Sequence, residues 1–439
     1  MRILPDFIKK RLEGRETLQK TVHNTGWMMG DQIIRQGVGF LVGVWLARYL
    51  GPQMYGEFSY AIAVVMIVAP LAMLGLDDIT IRRLVREPTE RDKTLGTVFI
   101  LILLGGLFTF VLALVAVQLA RPGDNLVRWL VGIMAAATIF RAFHAIEFWF
   151  ESQMQWQYTV YGRTSAFLLI SLIKVTLIVL QAPLIAFAWA GLAETACGAL
   201  GLLLVYRQRG YLLRNWRFSS ILARSMLKDS WPLVCASLFT MIYLRIDQVM
   251  IGSLLGDEAL GNYSVAVRIS EVWAFIPIVI CSATLPAIIE AETVSEEVFY
   301  GRLQQLYNLM VLLAYAFALP MTFFSDDIIQ LIFTGAYQDA GPLLAVLAWT
   351  GVFTSLGVAR TNLILAKDWT RVNLACVALG AILNIILNTL LIPRFGTMGA
   401  VGATFVSYWF AVHGTSLLLA PLRQTGRMMT KALIFPKVW

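Results

Sequence analysis

Apolar runs of about 20 residues follow one another almost without pause from residue 24 to residue 421. Twelve are delimited: 24–49, 57–77, 95–120, 126–149, 158–180, 184–206, 230–254, 259–288, 303–324, 342–366, 371–392 and 398–421. Each is long enough to cross a hydrocarbon core of about 30 Å as a helix. A lipid-embedded segment must satisfy its backbone polar groups internally, which predicts twelve helices. The two-residue alternation of a transmembrane barrel is absent.

Polar positions between the runs give the orientation. Arg2, Lys9, Lys10, Arg11, Arg15 and Lys20 precede the first span, and Arg82, Arg83, Arg86, Arg91 and Lys93 follow the second. Arg207, Arg209, Arg214, Arg217, Arg224 and Lys228 follow the sixth, and Arg302, Lys367, Arg371, Arg423, Arg427, Lys431 and Lys437 fall on the same side. The opposite side carries Arg48, Arg121, Arg128 and Arg394. Basic loops mark the cytoplasmic face, so both termini are expected there, in a multi-pass protein of the cell (inner) membrane. The long basic loop 207–229 divides the chain into an N-terminal segment 1–23, an N-lobe 24–206, the linker itself, a C-lobe 230–421 and a basic tail 422–439. The expected fold is an all-α membrane protein: twelve transmembrane helices in two six-helix pseudo-symmetric lobes around a central cavity.

The halves share a turn. "ARYLGPQMYGEFSYA" (47–61) follows the first span and "GSLLGDEALGNYSVA" (252–266) follows the seventh. Gly51 aligns with Gly256 and Gly56 with Gly261, each 205 residues apart. Six spans per repeat give both copies one orientation, related by an axis along the membrane normal. Gly51 and Gly56 permit backbone angles closed to other residues, and Pro52 stops a helix. Gly51, Pro52, Gly56, Gly256 and Gly261 are therefore the hinge or turn residues expected here.

Composition agrees: 58% hydrophobic and 14% charged residues, against about a quarter charged in soluble domains. The first twenty residues are polar and basic with no apolar h-region, so no cleaved leader is expected. Cys197, Cys235, Cys281 and Cys376 lie inside apolar runs, away from metal or redox spacing, and read as small buried hydrophobes. The net charge of +8 is mostly topology, with anionic-lipid contact rather than nucleic acid as its partner.

Twelve charges lie inside the spans: Arg35, Arg141, Arg163, Lys174, Arg245, Arg268 and Arg360, with Asp31, Glu147, Glu194, Asp247 and Glu271. Each costs about 2.5–3.5 kcal/mol at mid-bilayer, so they must face the bundle interior or a watery cavity. Asp31 and Arg35 are one turn apart, and Arg268 and Glu271 three residues apart, so each set is expected to pair along its own helix. Arg141, His144, Glu147 and Glu151 form one stripe of span four. Arg163 and Lys174 share a face of span five with no acid on that span, so both need an acid from another helix or an anionic visitor. Arg360 also lacks a carboxylate on its span. Arg245 and Asp247 point opposite ways, so each needs another helix. Asn373, Asn384 and Asn388 share a face of span eleven, where amides suit either sugar hydroxyls or helix bridging. Seven bases against five acids leave a cavity suited to an anion.

Enzymatic signatures are lacking. There is no GxxxxGK[ST] for ATP, no HExxH or GxSxG, and His23, His144 and His413 are not at metal-ligand spacing. No cofactor or metal is expected. The outer connection 325–341 is short for a glycosyltransferase or polymerase, and Ser325-Asp326-Asp327 reads as the cap of a short interfacial helix.

"RYLGPQMYGEFSYA" after a polar first span, and "RIDQVMIGSLLGDEALGNYSVAVRISE" (245–271), resemble the polysaccharide transporter family. These are the Wzx-type flippases of the multidrug/oligosaccharidyl-lipid/polysaccharide superfamily. Asp247, Gly252, Gly256, Gly261, Tyr263, Ser264 and Ala266 carry the match. The resemblance implies an alternating-access transporter, not an enzyme, that moves undecaprenyl-diphosphate-linked oligosaccharide between leaflets through a cationic cavity. Under it, Arg35, Arg163, Lys174, Arg245, Arg268, Arg360, Asn384 and Asn388 are the cavity candidates. With no ATP site, Asp31, Glu147, Asp247 and Glu271 are candidates for carrying H+ or Na+. A polysaccharide polymerase and chain-length machinery are the implied partners. The rival within the superfamily is a cation-coupled multidrug antiporter, which requires a cavity dominated by acids.

Overall fold

A computed structural model describes residues 16–367 and 369–437. The basic residues Arg2, Lys9, Lys10, Arg11 and Arg15 of the N-terminal segment lie outside the described residues. Among those described, every regular element is helical. The main elements are α1 (Glu16–Val68), α2 (Asp77–Arg86), α3 (Arg91–Ala120), α4 (Asn125–Phe140), α5 (His144–Ser152), α6 (Trp156–Val179) and α7 (Leu184–Gln208). After the basic linker come α8 (Ser220–Leu254), α9 (Asp257–Val272), α10 (Phe275–Val294), α11 (Glu296–Phe333), α12 (Ala340–Ala366), α13 (Thr370–Trp409) and α14 (Arg423–Ile434).

Ten continuous stretches are long and apolar enough to cross a bilayer. Two of them, Asn24–Arg86 and Thr370–Leu418, run to 63 and 49 residues, more than twice what one crossing needs. Each contains a glycine with non-helical angles inside a long helix, Gly51 (φ 67°, ψ 174°) and Gly396 (φ 59°, ψ −142°). Division at those glycines gives twelve spans. The chain is an all-α, multi-pass membrane protein.

Gly256, at the turn between α8 and α9, has φ 92° and ψ 177°. That is the region Gly51 occupies, and side chains exclude it. The repeat read in the sequence is thus a repeat of backbone conformation.

Several spans are not single helices: span two breaks at Ala69 and again at Leu74–Gly75, and span twelve carries a π-turn at Phe410–Gly414. Span four is interrupted by a 3-10 turn at Arg141–Phe143, and span eight breaks between α9 and α10. The short capped helix expected at Ser325-Asp326-Asp327 is corrected: α11 continues through it to Phe333. The reason is visible in the burial of Ser325, Ile329 and Phe333, four residues apart, which carries one packed face to the helix end.

The contacts group into two compact units: residues up to Leu46 with Val68–Val234, and Ala47–Ile67 with Cys235 onward. The first unit is built around Leu76, Leu95, Val98, Phe148, Phe150 and Tyr206, the second around Phe299, Leu303, Tyr307, Met310 and Leu356. The grouping departs from a division at the basic linker alone, because the tip of the first helical hairpin belongs to the second unit. The attachments are specific. Tyr337 Oη donates to the Ala47 carbonyl at 2.6 Å, Arg48 Nη2 donates to the Leu331 carbonyl at 2.7 Å, and Tyr60 Oη lies 3.2 Å from Ser253 Oγ.

Candidate functional site

In the first unit the intramembrane charges converge. Lys174 on α6 donates to Glu194 on α7 at 2.8 Å, and Arg35 on α1 approaches the same carboxylate at 4.0 Å. The Arg35 guanidinium also lies over the Phe167 ring, 4.7 Å from its centre. Arg163 on α6 donates to both oxygens of Glu147 on α5 at 2.6 Å, and His144 Nδ1 is 3.3 Å from the same group. Asp31 accepts the Thr164 hydroxyl.

Close backbone approach makes this clustering possible. A Cβ on Gly162 would stand 2.8 Å from the Leu202 nitrogen, so α6 and α7 touch where Gly162 and Gly201 face each other. Between these elements lies a cavity of about 60 Å³, lined by Arg35, His144, Arg163 and Glu194 together with Phe140, Phe143, Thr195 and Leu202. Such a volume holds a few waters. Its walls offer two guanidiniums and one carboxylate that already serves two cations.

One expected pairing is replaced. Asp31 and Arg35 share a helix face, yet Asp31 is taken by Thr164 and Arg35 turns to Glu194. The packed bundle offers Asp31 a hydroxyl and Arg35 a second carboxylate across helices, alongside the partner one turn away. The acids that Arg163 and Lys174 lacked on their own span come from α5 and α7.

The second unit holds the other candidates. The expected Arg268–Glu271 pair is also replaced: Glu271 receives Arg245 at 3.1 Å, while Arg268 Nη1 reaches Tyr55 Oη at 3.4 Å. Asp247 is 3% exposed. It accepts from the Tyr263 hydroxyl, from Thr404 Oγ1 at 3.2 Å and from the Gln248 amide at 2.7 Å. All three donors are uncharged. Asn388 donates to the Asn384 side-chain oxygen at 3.0 Å, leaving Asn384 Nδ2 and Asn388 Oδ1 buried without a partner among the described residues.

Arg360 is 3% exposed and is served by a distorted helix rather than a carboxylate. Residues Phe410–Gly414 form a π-helical turn, which displaces carbonyls from their usual partners. Arg360 Nη1 donates to the Val412 and Ala411 carbonyls at 2.8 and 3.2 Å and to Ser416 Oγ at 3.0 Å. Arg360→Met is expected to destabilise the protein by about 2–4 kcal/mol, since it strips a buried charged donor from several acceptors. Heat-induced aggregation of the detergent-solubilised protein measures this; an unchanged midpoint would show the contacts to be idle.

The repeated turns meet each other. A Cβ on Gly56 would overlap the Asp257 carbonyl, and a Cβ on Gly261 would overlap the Pro52 carbonyl. Position 52 is to 257 as 56 is to 261, in steps of 205. The contact is therefore reciprocal, the signature of a two-fold relation.

Arg35, Arg163, Lys174, Asp31 and Glu147 thus gather in the first unit, and Arg245, Arg268, Arg360, Asn384, Asn388, Asp247 and Glu271 belong to the second. Glu194, Thr164, His144, Tyr263 and Thr404 were absent from the sequence-derived site, although each binds one of its members.

Residues 21–292 match the family described as "Polysaccharide biosynthesis protein", and residues 232–390 match "MatE". A curated relative, "Probable low-salt glycan biosynthesis flippase Agl15" of Haloferax volcanii, is 24% identical over 190 residues, 42% of this chain and 40% of its own length. The chain thus spans well under half the length of that relative. Among solved structures, "Inward-facing conformation of a multidrug resistance MATE family transporter of the MOP superfamily" superposes with a TM-score of 0.70 at 15% identity, covering 92% of this chain and 95% of the other. "Lipid II flippase MurJ, inward closed conformation" gives 0.66 at 15% identity, covering 94% and 91%. These likenesses establish the fold: twelve transmembrane helices in two lobes.

Proposed function

Because the chain belongs to the polysaccharide biosynthesis protein family, we propose that it is an alternating-access flippase for a lipid-linked oligosaccharide, carried as an undecaprenyl diphosphate or a similar polyprenyl diphosphate. The observation that carries the reading is the half-buried set Arg35, Arg163 and Lys174 within the spans, held on Glu194 and Glu147 beside a polar cavity. A diphosphate does not cross hydrocarbon unaided. Guanidiniums grip phosphate oxygens bidentately, and the loose 4.0 Å Arg35–Glu194 pair is one a diphosphate can displace. The relative's name, a glycan biosynthesis flippase, supports the same substrate class.

Transport needs a driving force. Asp247, a carboxylate 3% exposed among uncharged donors, is our choice for the group that carries H+ or Na+, ahead of the less buried Asp31 and of Glu147 and Glu271, each of which already holds a cation. The basic loops support a reading in which both termini face the cytoplasm of an inner-membrane protein and a polymerase with chain-length machinery acts on the product.

Deletion of the gene, followed by labelling of intact cells with a membrane-impermeant sugar reagent, tests the reading. Lipid-linked oligosaccharide is expected to accumulate out of the reagent's reach and to become reachable when the wild-type gene is restored. The Asp247→Asn variant is expected to lower the exposed fraction about tenfold or more and to abolish its dependence on the ion gradient. Normal exposure in the deletion strain would abandon the flippase reading for the multidrug antiporter that the MatE match favours.

A further inference from the structure

Helix α14 lies after the last span and takes no part in the proposed transport route. It is no loose tail. Tyr315 Oη donates to the Leu433 carbonyl at 3.0 Å, Gln304 Nε2 to the Met428 carbonyl at 3.1 Å, and His413 Nε2 lies 2.8 Å from Thr430 Oγ1. A Cβ on Gly426 would come within 2.8 Å of the Ser416 carbonyl, so the helix is pressed onto the end of the last span. Thr425, Gly426, Met429 and Ala432 form its buried face.

The opposite face carries Arg423, Arg427 and Lys431, all exposed. A four-residue spacing places them on one stripe. None makes an ion pair with another described residue, and like charges one turn apart repel. Ile434 and Phe435, 62% and 63% exposed, continue from the basic stripe. Exposed cations are costly against acyl chains and stable at headgroup level. A basic stripe flanked by exposed aliphatic and aromatic side chains is the pattern of a helix lying in the interface.

We propose that the outer face of α14 is a binding surface for the headgroups of anionic phospholipids, in the leaflet where the last span ends. Charge complementarity fixes the occupant, and Ile434 and Phe435 insert beside it among the upper acyl carbons. A rigid, prepaid orientation of three cations lets them act on one patch of headgroups at once, which a flexible basic tail does not achieve.

Native mass spectrometry of the full-length protein in neutral detergent, titrated with phosphatidylglycerol or phosphatidylcholine, tests this. The wild type is expected to prefer phosphatidylglycerol. Each basic residue is worth about fivefold, so R423Q/R427Q/K431Q should lower that preference by about a hundredfold, with phosphatidylcholine binding unchanged. R423K/R427K should keep it, and salt near about 0.5 M should weaken it in the wild type. If the triple variant does not purify as folded protein, K431Q alone is read for its fivefold loss. An equal preference in wild type and variant overturns the proposal. So does full displacement of phosphatidylglycerol by millimolar inorganic phosphate, which marks a discrete phosphate pocket instead of a lipid surface.

Discussion

Substituting alanine at both Gly56 and Gly261 is expected to abolish complementation of a deletion strain while leaving a membrane-inserted chain. Each new methyl would fall on a backbone carbonyl, of Asp257 and Pro52 respectively, and backbone has no rotamer to yield. Overpacking of this kind costs about 1–3 kcal/mol per site. The two sites are related by the repeat, so one separation of the hairpins relieves both, and the effects should be less than additive. In a transporter whose alternative states differ by a few kcal/mol, that is enough to empty the conformation with joined hairpins. Tyr55, buried beside Tyr337, supplies a reporter. A cysteine there should be labelled by an impermeant maleimide about tenfold more in the double-alanine background. Unaltered labelling with full complementation would show that the close contact is incidental.

The reciprocal contact also answers why one chain builds the same turn twice. Gly51 and Gly256 reverse the chain in one shared conformation, and Gly56 and Gly261, five residues on, bring the reversed ends together. A duplicated hairpin supplies both partners of an interface at once.

Much of the buried electrostatics was legible once the turns were known. Two helices joined by a tight turn run antiparallel, so facing residues stand at equal distances from it. The midpoint of Lys174 and Glu194 is 184, beside the turn before α7; that of Glu147 and Arg163 is 155, in the turn before α6. Arg245 with Glu271, and Asp247 with Tyr263, are centred on 258 and 255, at the α8–α9 turn. Spacing along a single helix, the i,i+3 and i,i+4 rule, pointed instead to Asp31–Arg35 and Arg268–Glu271, where the structure prefers partners across hairpins. Contacts between helices not adjacent in sequence left no such trace. Arg35 with Glu194, Asp31 with Thr164 and Thr404 with Asp247 depend on how the bundle closes, and no local pattern encodes that. Arg360 is the extreme case: its acceptors arise from a π-helical distortion about fifty residues away, at Phe410–Gly414, where the sequence reads as an ordinary apolar span.

Neutralising Lys174 and Glu194 should separate their structural from their transport role. Glu194→Gln alone leaves Lys174 and Arg35 without a full carboxylate charge inside a membrane helix bundle. Losing one partner of a fully buried pair costs about 3–5 kcal/mol; with side chains 21–29% exposed here, water recovers part of that, and about 1–3 kcal/mol is expected. Lys174→Met should cost less, because Glu194 keeps Arg35 as a counter-charge. The double variant K174M/E194M removes both charges of the short bridge while Arg35 keeps the attraction of Asp31 one turn away, so its melting midpoint should recover to near the wild-type value. If the pair only joined α6 to α7, complementation would recover with it. A lysine that meets a diphosphate cannot be replaced by methionine, however well the methionine packs. Stability restored with flipping still lost is therefore the expected result, read as a folded protein of normal midpoint that leaves lipid-linked oligosaccharide out of reach of the impermeant reagent. Recovery of both would assign Lys174 to helix packing and move the phosphate-binding role to Arg35 and Arg163.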